Sequence, residues 1–295
     1  MNAAIGLPAI LLFFSFLAAL RFIWGMRLLF KKPRAYPSES YLRKLRRHPT
    51  PHVLACLGDS ITQGDLGVSY VRMLEGRWDA RALSIVNAGI NGDLAESLWR
   101  RLDAVIAARP TLVTLLIGTN DVNAAMSPAN MRRYIKQGKI AVPSTFERYQ
   151  EHVRRTLDRV RAETPARVAI LSLPFITTEL AHPVNVLGDR YSAWLKELAS
   201  KTGAAYLPLR EAQKAFLAER VVPPKYGYAD ADRLMVRCVF GRMFGVGWDA
   251  LSRIHGNPLS VDHLHSNTRT AAMIADLVAG FAQEELTRKP AQVGP

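Results

Sequence analysis

The sequence predicts an α/β fold: a three-layer αβα sandwich on one parallel sheet, preceded by one transmembrane helix. Three observations lead there. From residue 52 onward, short runs rich in Val, Ile and Leu alternate with stretches of helical period; the runs lack two-residue alternation; and residues 1–20 carry no charged side chain. Strands covered by helices on both faces read as continuous apolar runs, and strand–helix alternation is how a parallel sheet is connected. The chain has 295 residues, 49% hydrophobic and 22% charged, which excludes a disordered protein and allows a sizeable core.

The first element is the apolar segment. Roughly 18 to 24 helical residues at about 1.5 Å each reach about 27 to 36 Å, enough for a bilayer core. Residues 1–28 are therefore read as a transmembrane anchor, with Arg21 and Trp24 at the interface. A cleavable signal is disfavoured because no Lys or Arg precedes the apolar run, and a buried core helix leaves the flanking basic cluster unexplained.

The charge follows. The chain holds 39 Lys and Arg against 25 Asp and Glu, a net of +14; residues 21–47 carry nine basic side chains against Glu39 alone, or +8, leaving +6 for 48–295. Nucleic acid, the partner a basic chain first suggests, is excluded by this concentration behind an apolar run. Residues 29–51 are read as a basic juxtamembrane linker. The positive-inside rule then gives a single-pass membrane protein whose catalytic domain faces the cytoplasm.

Within 52–295, strands are expected at 52–57 (HVLACL), 84–88 (SIVNA), 111–117 (TLVTLLI), 167–173 (RVAILSL) and 204–209 (AAYLPL). Amphipathic helices are expected at 70–77, 95–108, 146–163, 190–202 and 268–286. Cys56 and Cys238 are too few for a disulfide framework.

In such a sheet, function gathers beyond the carboxyl ends of the strands. There the sequence places Gly58-Asp59-Ser60-Ile61-Thr62, then 87–93 (NAGINGD) with Gly92, then Gly118-Thr119-Asn120-Asp121, and finally Asp262-His263-Leu264-His265. Singly these are caps and turns. Together they supply a nucleophile, a base, an orienter and oxyanion donors, the parts needed for acyl transfer.

In these four blocks the chain resembles the SGNH hydrolases, the superfamily that includes the GDSL esterases and lipases. The resemblance implies a flavodoxin-like sheet of five parallel strands in the order 2-1-3-4-5. It also implies Ser60 as nucleophile, His265 as general base and Asp262 as its orienter. The oxyanion would be held by the Ser60 and Gly92 backbone N–H groups and the Asn120 side chain, with no metal or organic cofactor. No G-x-S-x-G is present, which disfavours the α/β-hydrolase elbow. His263-x-His265 beside Asp262 leaves a metal pair as an alternative, His255 is read as structural or solvated, and Asp59 is read as holding the loop.

The expected activity is a serine esterase cleaving acyl esters or thioesters on lipid-like substrates, of lysophospholipase or acyl-thioesterase type. The alternative is a carbohydrate or envelope-polymer O-deacetylase, and a non-catalytic membrane scaffold is a third reading. The expected partners are an acyl-ester small molecule or lipid, and the membrane. The insert at 220–257 is either a lid or acyl-binding wall or a core helix and loop. Residues 131–139 (MRRYIKQGK) are read as a basic loop, membrane-facing or solvated.

Overall fold

The computed structural model describes residues 7–29, 32–219 and 225–287. The parts of the anchor, linker, insert and C-terminus at 1–6, 30–31, 220–224 and 288–295 lie outside the described residues, as do the side chains of 7, 9, 10, 22 and 24–29.

Five parallel strands form one sheet: β1 (His52–Gly58), β2 (Leu83–Gly89), β3 (Leu112–Leu116), β4 (Arg167–Leu171) and β5 (Ala205–Leu207). Their order is β2-β1-β3-β4-β5, as the resemblance implied. The absence of two-residue alternation has a direct cause. Ala55 and Leu57 of β1 enter one hydrophobic core, while Leu54 and Cys56 enter the core on the other face. Both faces are covered, so successive inner positions of β1, from Leu54 to Leu57, are apolar.

The helices are α1 (Leu7–Leu29), α2 (Glu39–Arg47), α3 (Ser60–Gln63), α4 (Tyr70–Glu75), α5 (Ala95–Arg100), α6 (Leu102–Ile106) and α7 (Thr119–Ala125). They continue with α8 (Pro128–Lys136), α9 (Phe146–Glu163), α10 (Pro183–Thr202), α11 (Leu209–Ala218), α12 (Ala231–Met243), α13 (Trp248–His255) and α14 (Thr268–Thr287). Helix α9 begins at Thr145, whose hydroxyl accepts from Arg148 N at 3.3 Å, and buries Tyr149, Val153, Thr156 and Val160 along one stripe. It packs with α5 and α10 on one face, and α14 packs with α4 on the other through Ile274, Ala275 and Val278. The single helix expected at 95–108 divides at Arg101 into α5 and α6.

The expected single-pass membrane protein with a cytoplasm-facing domain is overturned. Among the described residues no helix is long and apolar enough to cross a membrane. Arg21 lies inside α1 and divides it, so its uncharged part, residues 7–20, amounts to about 21 Å against a hydrocarbon core of about 30 Å. The Arg21 guanidinium is engaged by the domain, with Nε donating to the Met243 carbonyl at the end of α12 at 2.6 Å. With no spanning helix among the described residues, the membrane as partner is not supported.

Much of 29–51 is folded onto the sheet. Ser38 caps α2, Leu42 is buried, and the Tyr41 hydroxyl donates to the Ile85 carbonyl at 2.8 Å. The Asn87 amide of β2 donates to the Ala35 carbonyl at 2.9 Å. This segment covers the edge strand β2, whose backbone would otherwise be open to pairing.

The carboxyl ends of β1, β2 and β3 lie side by side, with Gly58 in register with Gly89 and with Leu116. Helix α3 turns back over that edge so closely that a Cβ on Gly89 would lie 2.1 Å from the Gln63 amide nitrogen, so only glycine fits there.

Candidate active site

Ser60 is the first residue of α3, and Asp59 caps that turn by accepting from Ile61 N at 2.9 Å. The cap fixes the direction in which Ser60 leaves the strand. The other Asp59 oxygen, Oδ2, is buried without a hydrogen-bond partner among the described residues. Burial pushes the Asp59 carboxyl up to about 7, above its ordinary range.

The block before α14 forms a tight turn, closed by a bridge between Ser260 and Ser266. Asp262 Oδ1 accepts the amides of Leu264 at 3.1 Å and His265 at 2.8 Å, leaving Oδ2 facing His265 Nδ1 at 2.8 Å. The far nitrogen, His265 Nε2, lies 3.0 Å from Ser60 Oγ. The Val68 amide, a few residues beyond α3, donates to the Ser266 carbonyl at 2.8 Å and ties the two segments together. Ser60, Asp262 and His265 are all buried. Burial pulls the His265 imidazole pKa down, but the charge and hydrogen bond of Asp262 outweigh it, and the net shift is upward from 6.5.

Gly92 follows β2 with φ +73°, a left-handed conformation natural to glycine. Asn120, in the first turn of α7, is buried and donates from Nδ2 to the Asp93 carbonyl at 3.0 Å. A carboxamide carries two N–H donors, so one remains for a ligand. Ser60, Gly92, Asn120 and His265 line one cavity of about 770 Å³.

The other histidines separate from this group. His263, at φ +77°, faces Asn257 through Nδ1 at 3.3 Å, and burial lowers its pKa. Among the described residues its ring shares no hydrogen-bond partner with that of His265, which does not fit a metal pair. His255 Nδ1 contacts the Val261 carbonyl at 2.6 Å, and His152 Nδ1 contacts the Arg148 carbonyl at 2.7 Å. Among the described residues no group of three or more His, Cys, Asp or Glu is placed to hold a metal ion.

Sequence reasoning missed several lining residues. Most of the stretch expected as a basic loop, residues 131–136, lies in helix α8, whose Tyr134 is buried against the cavity. Amphipathic spacing around Tyr134 and the cap pair Ser127-Pro128 were the available signals. Asp93 anchors two cations, Arg101 Nε at 2.6 Å and Lys139 Nζ at 2.9 Å, the second of which also lines the cavity. Within the insert, α12 packs inward on one side and faces the cavity on the other. Leu234 and Cys238 of α12 are buried, the latter against Leu251 and Val261, while Met235, Val236, Val239 and Phe240 line the cavity. Arg133 of α8 holds Asp232 of α12 through both carboxylate oxygens at 2.6 Å, joining the two walls.

Three comparisons bear on the chain. Residues 56–259 match the model of the GDSL-like Lipase/Acylhydrolase family, a stretch that ends just before Asp262. An acetylxylan esterase of Geobacillus stearothermophilus is 28% identical over 181 residues, covering 54% of this chain and 76% of that one. Among solved structures, an acetylxylan esterase of Geobacillus stearothermophilus superposes with a TM-score of 0.54 at 17% identity, covering 82% of this chain and 97% of the other. An alpha/beta hydrolase enzyme from the metagenome of Lake Arreo, Spain, gives 0.52 at 20% identity over 81% and 98%. At these identities the two structures show the fold alone.

Proposed function

The chain belongs to the GDSL-like lipase/acylhydrolase family and is an ester-hydrolysing enzyme, and from that premise we propose that it removes acetyl groups from carbohydrate by a Ser60–His265–Asp262 mechanism. Ser60 Oγ attacks the acetyl carbonyl carbon while His265 Nε2 takes its proton. The tetrahedral oxyanion is held by the Ser60 and Gly92 amides and by the free N–H of Asn120. Collapse breaks the bond to the sugar oxygen, which leaves with the proton from His265. Water then attacks the acetyl-serine, with His265 as base again, and acetate departs. Asp262 holds the imidazole tautomer and stabilises the imidazolium.

The observation that carries this reading is the unbroken line of contacts from Asp262 Oδ2 through His265 to Ser60 Oγ, 2.8 and 3.0 Å, opening on the cavity that Gly92 and Asn120 also line. The 28% identical acetylxylan esterase supports acetylated carbohydrate over lipid. The cavity's polar wall, with Asn91, Gln137 and Lys139, supplies groups that hydrogen-bond sugar hydroxyls.

One observation favours a second reading, hydrolysis of longer acyl chains. Met235, Val236, Val239 and Phe240 give the same cavity an apolar wall that an acetyl group alone would not cover. Acetate release from acetylated xylooligosaccharides, set beside p-nitrophenyl esters from acetyl to dodecanoyl, decides between them. Carbohydrate deacetylation is upheld by a preference for acetyl and by turnover of the oligosaccharide. A rate that climbs with chain length, with the oligosaccharide untouched, replaces it with the second reading.

A further inference from the structure

The Asn120 carboxamide has its orientation fixed. A carbonyl oxygen can only accept, so the Asp93 carbonyl at 3.0 Å requires the NH2 end of Asn120 to face it. Asn120 Oδ1 then faces the Tyr134 hydroxyl, which donates to it at 2.8 Å. A phenol has one proton to give. With that proton directed at Asn120, the Tyr134 oxygen is left to accept, and Asn123 Nδ2 donates to it at 2.8 Å. Asn123 is oriented by the same logic, because its Oδ1 accepts from Asn130 Nδ2 at 3.3 Å and from the Tyr228 hydroxyl. Donors from Tyr228 through Asn123 and Tyr134 to Asn120 therefore all run in one direction. Aligned hydrogen bonds polarise one another in a low-dielectric interior. Tyr134 is 4% exposed, and burial raises its hydroxyl pKa, so it stays protonated as a donor.

We propose that Tyr134 is a positioning residue for ester hydrolysis: its hydroxyl, driven by Asn123 and Tyr228, holds the Asn120 carboxamide with the second N–H aimed at the oxyanion. This rests on the reading of Asn120 as an oxyanion donor. Without the hydroxyl, Asn120 keeps its bond to Asp93 but loses the partner of its oxygen, so the side chain can rock about that single contact. The loss then falls on the transition state, where negative charge is on the substrate oxygen, and hardly on substrate binding. The relay also reaches the insert, since Tyr228 lies just ahead of α12.

The test is a double-mutant cycle on p-nitrophenyl acetate with Tyr134→Phe, Asn120→Ala and both together. Tyr134→Phe is expected to lower kcat by up to about tenfold, as for the net loss of one neutral hydrogen bond, with KM changed less than about twofold. In the Asn120→Ala background the same change is expected to cost less than about twofold. An equal loss in both backgrounds, a change in KM alone, or no loss in Tyr134→Phe while Asn120→Ala is impaired overturns the inference and leaves the oxyanion reading standing. Full kcat in Asn120→Ala overturns the oxyanion reading and the inference with it. Should Tyr134→Phe fail to fold, the half-buried Tyr228→Phe carries the test. A kcat loss of about two- to threefold that disappears in Asn120→Ala supports the relay, and an unchanged kcat rejects it.

Discussion

His265 Nε2 lies 3.0 Å from Ser60 Oγ although 205 positions separate the two residues in the chain. The strand order explains the meeting. Ser60 leaves the end of β1, near the centre of the sheet, and the turn ahead of α14 returns to that edge, held there by the Val68–Ser266 backbone bond of 2.8 Å. The two residues meet only in the folded chain, so the pair tests the tertiary fold as well as the chemistry.

The His265 pKa, raised above 6.5 chiefly because Asp262 outweighs burial, gives the pH profile a direction. Neutral imidazole is the base, so kcat/KM is expected to fall as pH drops through a midpoint above 6.5. Asp262→Asn removes the raising charge; the midpoint should move down and kcat should drop by about 10⁴. The same pair has a stability signature. A raised imidazole pKa contributes stability that is complete below the unfolded value and is lost as pH rises through the folded one. A rate profile whose acid limb is unmoved in Asp262→Asn contradicts this assignment.

Burial pushes the carboxyls of Asp59 and Asp121 up from 3.8 to about 7. The folded chain then binds more protons than the unfolded chain between about pH 4 and 7, and stability declines as pH rises across that window. Asp59→Asn keeps an oxygen to cap Ile61 and removes the titration, so Tm of this variant should fall less steeply than wild type between pH 4 and 8. The same holds for Asp121→Asn. Parallel Tm curves would place the titration elsewhere.

Gly92→Ala places a methyl group at φ +73°, 3.3 Å from the Lys139 Cε. The backbone strain alone is worth about 1–2 kcal/mol. Turnover is expected to drop about tenfold or more as the amide shifts from the oxyanion, with KM nearly unchanged. Steady-state kinetics beside a thermal melt separate the two effects; a full kcat at a lowered Tm would remove Gly92 from the site.

Phe240, on the apolar wall, is 44% exposed, so a polar replacement is tolerated by the fold. Phe240→Asp should reduce hydrolysis of an octanoyl ester several-fold while leaving the acetyl ester within about twofold, because only the longer chain reaches the wall. Equal losses on both esters would show that α12 does not touch the acyl chain.

The sheet and most of the candidate site were legible because their signals are local. Five apolar runs needed no alternation once both faces were covered, as Leu54 and Ala55 entering opposite cores shows. Ser60, Gly92, Asn120, Asp262 and His265 each follow a strand or precede a helix, where backbone geometry restricts the residue type. Tyr134 was not legible. Its neighbours in MRRYIKQGK are mostly polar, and its role comes from Asn120 and Asn123, which reach it only through the packing of α7 on α8. The apolar N-terminal run misled for a related reason. Hydropathy registers Arg21 as a residue near an interface, while its position is set by the Met243 carbonyl, far along the chain.

The most direct test of the account is the rate of acetate release from acetylated xylooligosaccharide by wild type and by Ser60→Ala, compared at matched Tm. Loss of Oγ should lower turnover by about 10³ to 10⁶ while the variant melts within a few degrees of wild type. Acetate release by Ser60→Ala at the wild-type rate would contradict the central claim.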